Sequence, residues 1–453
     1  MFQLPEGGCP RDDVSHCIKV QPIDAGYCYC RRSSAAPALA WLTVPVHGSA
    51  ASKTTWRSSP QELKNTVLFW ACSVILLLGG CGSGSGGSTF APPPSERMTF
   101  AGVGAHGIFD PSITQDPGNG RLWMSYSAVD PSVSWPAQNY DVVATRLAYS
   151  DDNGGTWNDS GFAVNDFLDV TLPLAAPNDA GTWVNEVSQL IHDPGAVATE
   201  RWKLLWHHYL LIDGSRRFEH GWIAMKVAST PEGLAAAPEM KLFAGYLYDS
   251  SNDTAGGTSG SPVGGAPLIR LDTALDPALN TCVFTEPGTY ASSGALYVSL
   301  QCEHLADSDR LIVLLKCASP CNAGSAVSWS YLGTVLRRSD AIALGFDSGF
   351  AASGMFTSGA GVYLVVTPVQ TGGMLFPDYY SGCRVFRFEN IDTALLRKTG
   401  SQPALTGSVD GTPGSFNGAC SFHALATGSG MLYSELNTSV TERFQIFMSH
   451  THF

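Results

Sequence analysis

Three acids share one local setting: Asp110, Asp193 and Glu286 each directly precede a proline, in Phe109-Asp110-Pro111, His192-Asp193-Pro194 and Thr285-Glu286-Pro287. Each opens a short apolar strand pattern that runs into a polar or Gly-rich turn and then a second strand pattern. One Asp-Pro is an ordinary turn device, because the carboxylate accepts from backbone amides while proline fixes φ. Three such acids in register have a further consequence if their strands converge. Like charges then repel and at least one pKa rises, which separates a proton donor from a proton acceptor at a single pH. Glycoside hydrolysis requires such a pair: one protonated carboxyl for the leaving oxygen, one carboxylate to activate water or attack the anomeric carbon. Asp110, Asp193 and Glu286 are therefore the candidate catalytic residues.

The elements that must position them are hairpins. Five similar segments recur, at Asp110–Ser127, Asp193–Tyr209, Glu286–Leu300, Gly354–Val366 and Cys420–Ser434, and the last two lack an acid at the shared position. Apolar alternation on both sides of a turn signal is a β-hairpin pattern. With 48 Gly, 27 Pro and only 14% charged residues, the composition suits short strands and tight turns, and no long amphipathic helix is visible. A sheet with two apolar faces cannot bury both alone, so repeated sheets stack radially and leave an axial channel towards which the innermost strands point. The expected architecture is all-β: a five-bladed β-propeller over residues 98–453, six-bladed if a divergent blade escapes the pattern. Repeat spacings of roughly 65 to 95 residues, against about 40 to 50 in a minimal blade, require long connections.

The segment Ser150-Asp151-Asp152-Asn153-Gly154-Gly155-Thr156-Trp157 resembles the Asp box of sialidase-like propellers. Its spacing has a mechanical cause: Asp caps a tight turn, Gly supplies positive φ and Trp packs into the blade. More broadly, residues 100–450 resemble the five-bladed propeller glycosidases, the group that holds glycoside hydrolase families 43, 32, 62 and 68. That resemblance implies Asp110 as base, Asp193 as orienter and pKa modulator, and Glu286 as general acid, with an inverting mechanism, while the negative net charge disfavours an acidic polysaccharide and points to a neutral glycan. The Trp-x-Asn-Asp-Pro-Asn motif of the fructosidases is absent, which sets that subgroup apart. The resemblance further implies a substrate-side role for His423, beside a structural calcium ion or water cluster, with no cofactor required and no catalytic metal. Arg384, ahead of an apolar strand, and Trp135, in the long connection after the first repeat with Tyr140, are the other candidate sugar contacts. A buried core histidine, a surface arginine and blade-edge aromatics are the plainer readings of the same residues.

Two other readings compete. A sialidase uses a Tyr nucleophile and three arginines on the substrate carboxylate; Arg146, Arg216, Arg217, Arg337, Arg338, Arg384 and Arg387 are available, without a Phe/Tyr-Arg-Ile-Pro motif. A propeller can also bind a glycan or protein without turning it over. The net charge of −13 excludes nucleic acid as the expected partner, since phosphate binding needs clustered Lys and Arg.

Compartment is legible near the start. Lys64-Asn65, an apolar run from Thr66 to Leu78, and Gly79-Gly80-Cys81 form a charged, apolar and small-residue succession that ends on a cysteine. It is too short for a membrane span, and Leu77-Leu78-Gly79-Gly80-Cys81 resembles the bacterial lipobox. Residues 63–81 are thus expected to be a lipoprotein signal peptide, with Cys81 lipidated and residues 82–97 a Gly/Ser/Pro tether. Residues 1–62 read as translated upstream sequence or a disordered extension, with Leu63 marking the start. The chain is expected to be exported and anchored to the bacterial cell envelope, in the periplasm or at the surface, as a monomer. In an exported chain, the six remaining cysteines of the propeller point to disulfides rather than zinc. Cys282 and Cys302 flank a turn symmetrically, Cys317 and Cys321 close a small loop, and Cys383 is left with Cys420.

Overall fold

The hairpin pattern becomes five antiparallel sheets in the computed structural model. It describes residues 96–451 except 99, 102–106, 130–142, 166–168, 173–178, 213–214, 249–267, 306, 308, 373–377, 411–415, 426–427 and 437–443. The leader, Cys81, Trp135 and Tyr140 lie outside the described residues.

Taken from the axis outward, blade one is Ile108–Gln115, Leu122–Val129, Val143–Ser150 and Trp157–Ala163. Blade two is Asp179–His192, Trp202–Ile212, Ser215–Ala228 and Met240–Ala244. Blade three is Cys282–Ala291, Ala295–His304, Asp309–Ala318 and Trp329–Leu336. Blade four is Phe350–Ser358, Gly361–Thr371, Cys383–Asn390 and Leu405–Val409. Blade five is Asn417–Leu425, Gly428–Leu436 and Phe444–Ser449, completed by Glu96–Arg97 from the start of the described chain. These last two residues, read from sequence as the end of the tether, pair with Met448 and Phe447 and so fasten the ring. Innermost strands touch in succession, and the fifth touches the first.

Strand alternation explains why the ring closes. Successive side chains leave a strand on opposite faces, so Leu204 and Trp206 of blade two pack with Trp123 and Leu147 of blade one. The intervening Leu205 packs instead with Phe284 and Val298 of blade three. Three further cores fill the remaining gaps: Leu314 with Phe350 and Phe386, Phe356 with Phe422 and Met431, and Met124 with Leu432 and Ile446. Each sheet thus buries two faces, which a single blade has no means of doing.

The disulfides pair as expected, Cys282–Cys302, Cys317–Cys321 and Cys383–Cys420. In the turn after Ser150, Asp152 accepts from the Thr156 amide at 2.8 Å and from its hydroxyl at 2.7 Å. The Ser150 hydroxyl accepts from Gly154 N–H at 2.8 Å, and Trp157 is buried. These bonds to the charged form hold the Asp152 carboxyl at about 2. The turn joins the outer two strands of blade one, far from the inner strands, so its work is mechanical.

Candidate active site

All five inner strands carry the same irregularity. Pairing with the second strand slips between Phe109 and Ser112, Glu186 and Gln189, Thr285 and Gly288, Ala351 and Ser353, and Gly418 and Ser421. Inside each slip one non-glycine residue has positive φ: Asp110 at 54°, Val187 at 52°, Glu286 at 49°, Ala352 at 35° and Ala419 at 52°. A β-bulge inserts an unpaired residue and re-aims its side chain. Left-handed backbone at a side-chain-bearing residue costs about 1–3 kcal/mol, which the surrounding structure must hold in place. Asp110 and Glu286 are two of these five residues, so blades one and three place their acids at one level of the ring.

The next blade ties each acid down. Asp110 Oδ2 accepts from the Ser127 hydroxyl at 2.8 Å and from the Val187 amide at 3.1 Å, while the Asp110 amide donates to Ser434 Oγ at 2.8 Å. Glu286 accepts from the Tyr380 hydroxyl at 2.5 Å and, through its other oxygen, from the Ala352 amide. Bulge amides thus clamp the carboxylates of the preceding blade. Both acids are buried, and burial pushes both carboxyls above their ordinary range. For Asp110 the nearby charge of Glu186 adds to the rise, and the Ser127 hydrogen bond opposes it. For Glu286 the Tyr380 hydrogen bond, the Ala352 amide and Arg216 oppose it.

Blade two supplies its acid one residue before the bulge: Glu186 acts on both Asp110 and Glu286. Its Oε1 accepts from the Tyr209 hydroxyl at 2.9 Å and lies 3.9 Å from the Arg216 guanidinium. Arg216 in turn sits 5.5 Å over the Tyr209 ring, and Tyr209, Glu186, Tyr380 and Glu286 hold it charged. The site is therefore three carboxyls, two phenols and one guanidinium.

Asp193 does not join them. The structure places it just past the inner strand of blade two, its carboxylate buried against Lys203 at 3.2 Å. Its Oδ1 accepts from Gly195 N–H at 2.9 Å and its amide donates to Arg201 O at 2.7 Å. Asp116 makes the same turn in blade one, accepting from Gly118 at 2.8 Å and donating to Arg121 O at 2.8 Å. Asp193-Pro194-Gly195 therefore corresponds to Asp116-Pro117-Gly118, the hairpin turn, and not to Asp110-Pro111. Removing one member of a buried ion pair strands the other charge. Lys203→Met is accordingly expected to lower unfolding free energy by about 3–5 kcal/mol, read from urea denaturation, with any enzymatic rate of the folded fraction unchanged.

Two other candidates also lie apart from the acids. Arg384 is on the third strand of blade four, where it pairs with Asp410 at 2.7 Å, donates to Cys383 O and stacks 4.8 Å over Phe346. It fastens a blade rather than facing the axis. His423 is on the inner strand of blade five, four residues beyond the bulge residue Ala419, so it stands roughly 13 Å along the strand from the level of the acids. Burial lowers its imidazole to about 4. Calcium takes six to eight oxygens, and among the described residues no carboxylate cluster surrounds His423; the one grouped set, Cys282, Cys302 and His304, has its two sulfurs in a disulfide.

Sequence reading missed Glu186, Tyr209 and Tyr380, and met Arg216 only as one arginine among seven. The signal for Glu186 was the distance to the hairpin turn: Asp110 precedes Asp116-Pro117-Gly118 by six residues, and Glu186 precedes Asp193-Pro194-Gly195 by seven. One guanidinium beside the acids, among the described residues, is also not the three-arginine set of a sialidase. The buried carboxyls predict a stability effect as well. A carboxyl with a raised folded-state pKa contributes most below the unfolded pKa and loses that contribution as pH climbs through the folded value. Asp110→Asn is therefore expected to melt above wild type at neutral and alkaline pH, by roughly 2 °C per kcal/mol of relieved charge burial. The difference should shrink below the ordinary carboxylate range, as thermal melts across pH would record.

No protein-family model matches the chain, and no curated protein matches it. Solved structures do. A thermostable family-43 glycoside hydrolase is 12% identical with a TM-score of 0.42, over 78% of this chain and 93% of that one. A family 117 glycoside hydrolase from the marine bacterium Zobellia galactanivorans is 14% identical at TM-score 0.40, over 79% and 90%. An arabinanase of Bacillus subtilis is 10% identical at TM-score 0.39, over 77% and 95%. These are remote likenesses, and the five-bladed architecture of this chain is read from its own strand pairing.

Proposed function

We propose that the chain is a glycoside hydrolase that acts on a neutral glycan or glycoside, with Glu286 as general acid, Asp110 as general base and Glu186 as a neighbouring charge that adds to the rise burial gives both. The observation that carries this reading is the pair of buried carboxyls on equivalent bulges of blades one and three, both electrostatically coupled to a third acid of blade two. A protonated Glu286 gives its proton to the glycosidic oxygen as the anomeric C–O bond breaks. The Tyr380 hydroxyl and the Ala352 amide, both donors to Glu286, stabilise the carboxylate that is left behind. Asp110 Oδ2 is engaged by Ser127 and Val187, which leaves Oδ1 to take a proton from the water attacking the opposite face. Attack from the opposite face inverts the anomeric centre.

The test is a screen of aryl glycosides, arabinofuranosides and xylosides first, with the product anomer followed by proton NMR. Release of the inverted anomer supports the reading, and a retained anomer replaces the water by a covalent intermediate. Turnover confined to sialosides favours the sialidase alternative; binding without turnover of any glycoside favours a non-catalytic propeller. The compartment belongs to the same proposal: export, lipidation of Cys81 and anchoring to the cell envelope. Cys81→Ser is expected to move the chain from the membrane pellet to the soluble fraction in a bacterial host.

A further inference from the structure

Among the charged groups at the acids, Arg216 is the one whose donors are unspent. Among the described residues its guanidinium makes no hydrogen bond: its nearest carboxylate oxygen, on Glu186, is 3.9 Å away, and its side chain keeps 47% of its surface open. Yet it interacts with Tyr209, Glu186, Tyr380 and Glu286 together, which places it in the midst of the site. Glu186 Oε1 and both oxygens of Glu286 bond elsewhere, to the Tyr209 hydroxyl, the Tyr380 hydroxyl and the Ala352 amide. An open guanidinium next to carboxylates that decline to bond it is positioned for a ligand. Its strand explains how it is held there: Arg216 pairs with Leu211 across the hairpin of the second and third strands of blade two, at the end near Ile212.

We propose that Arg216 reads the sugar, its two-pronged N–H fork taking two adjacent hydroxyl oxygens of the ring whose bond is cleaved. The inference rests on the glycosidase reading and deepens it, since the preferred substrate becomes a neutral sugar with a free vicinal diol. A carboxylate-bearing sugar fits less well, because its charge would add to those of Glu186 and the ionised Asp110, which already act on one another. The planar fork is the property that matters: Lys carries the charge but not the paired donors. Hydrogen bonds to a charged group are the strong ones in a desolvated site.

Steady-state kinetics and sugar binding by titration calorimetry, on wild type, Arg216→Lys and Arg216→Gln, test the assignment. The substrates are the aryl glycoside that wild type cleaves best, its monodeoxy analogues and the matching uronide; the titrant is the free neutral sugar. Arg216→Lys is expected to lose about thirtyfold in kcat/KM on the parent glycoside, equivalent to about 2 kcal/mol. On the deoxy analogue that lacks the paired hydroxyl it should lose little further. Full activity of Arg216→Lys, equal losses on parent and deoxy substrates, or preference of wild type for the uronide would overturn the proposal. If wild type binds the sugar and turns over no glycoside, the hydrolase reading falls alone, and the proposal stands only if Arg216→Gln abolishes that binding. Absence of sugar binding by wild type sinks both.

Discussion

Asp110→Ala is expected to lose turnover on every glycoside that the wild-type chain cleaves, whereas Glu286→Ala is expected to lose it selectively, keeping most of its rate on an aryl glycoside with a good leaving group. The asymmetry follows from what each carboxyl does to the scissile bond. A leaving group that departs readily as an anion needs little protonation, so the acid is dispensable for it and indispensable for a natural sugar alcohol. The base acts on the nucleophile and is needed whatever departs. General acid–base contributions are of order 10²- to 10⁴-fold, so on an unactivated substrate both variants should fall by that range. On a dinitrophenyl glycoside Glu286→Ala should recover to within roughly tenfold of wild type. The measurement is kcat/KM against leaving-group pKa for the three proteins. Equal and small losses for both variants would make these carboxyls structural, clamped by Ser127, Val187, Tyr380 and Ala352 for the sake of the bulges alone.

The second large effect separates Glu186 from Asp193. Glu186 raises the pKa of both Asp110 and Glu286 through its charge. Glu186→Gln should therefore let both values fall and move the whole pH–rate bell to lower pH. At neutral pH, where Glu286 would then be less protonated, the rate should fall severalfold, and lowering the pH should restore part of it. Asp193→Asn should leave the bell where it is, because its partner is Lys203 at 3.2 Å and it is not among the main groups that shift either acid. That variant should show its effect in melting temperature instead. A shifted bell in Asp193→Asn, or an unshifted one in Glu186→Gln, would reverse the assignment of the blade-two acid.

What sequence alone determined about this protein is whatever depends on short-range pattern. Alternation of apolar residues about Gly-rich turns dictates hairpins, and hairpins with two apolar faces dictate radial stacking; cores such as Leu204 and Trp206 against Trp123 follow. The cysteine pairs were legible for the same reason: two are bridges across one turn or one loop, and the third is what remains. Asp110 and Glu286 were legible because Pro follows each at the same place in its repeat. Tertiary structure decided the rest. A bulge breaks the two-residue period of a strand, so no count along the chain tells which side of Val187 the acid faces from, and Glu186 hid behind an Asp-Pro-Gly turn that imitates the bulge motif. Tyr209, Arg216 and Tyr380 come from second, third and accessory strands, whose place at the site depends on curvature and on the neighbouring blade rather than on any local spacing. The same holds for Arg384 and His423: types suited to chemistry, set aside by a partner in one case and by height along the axis in the other.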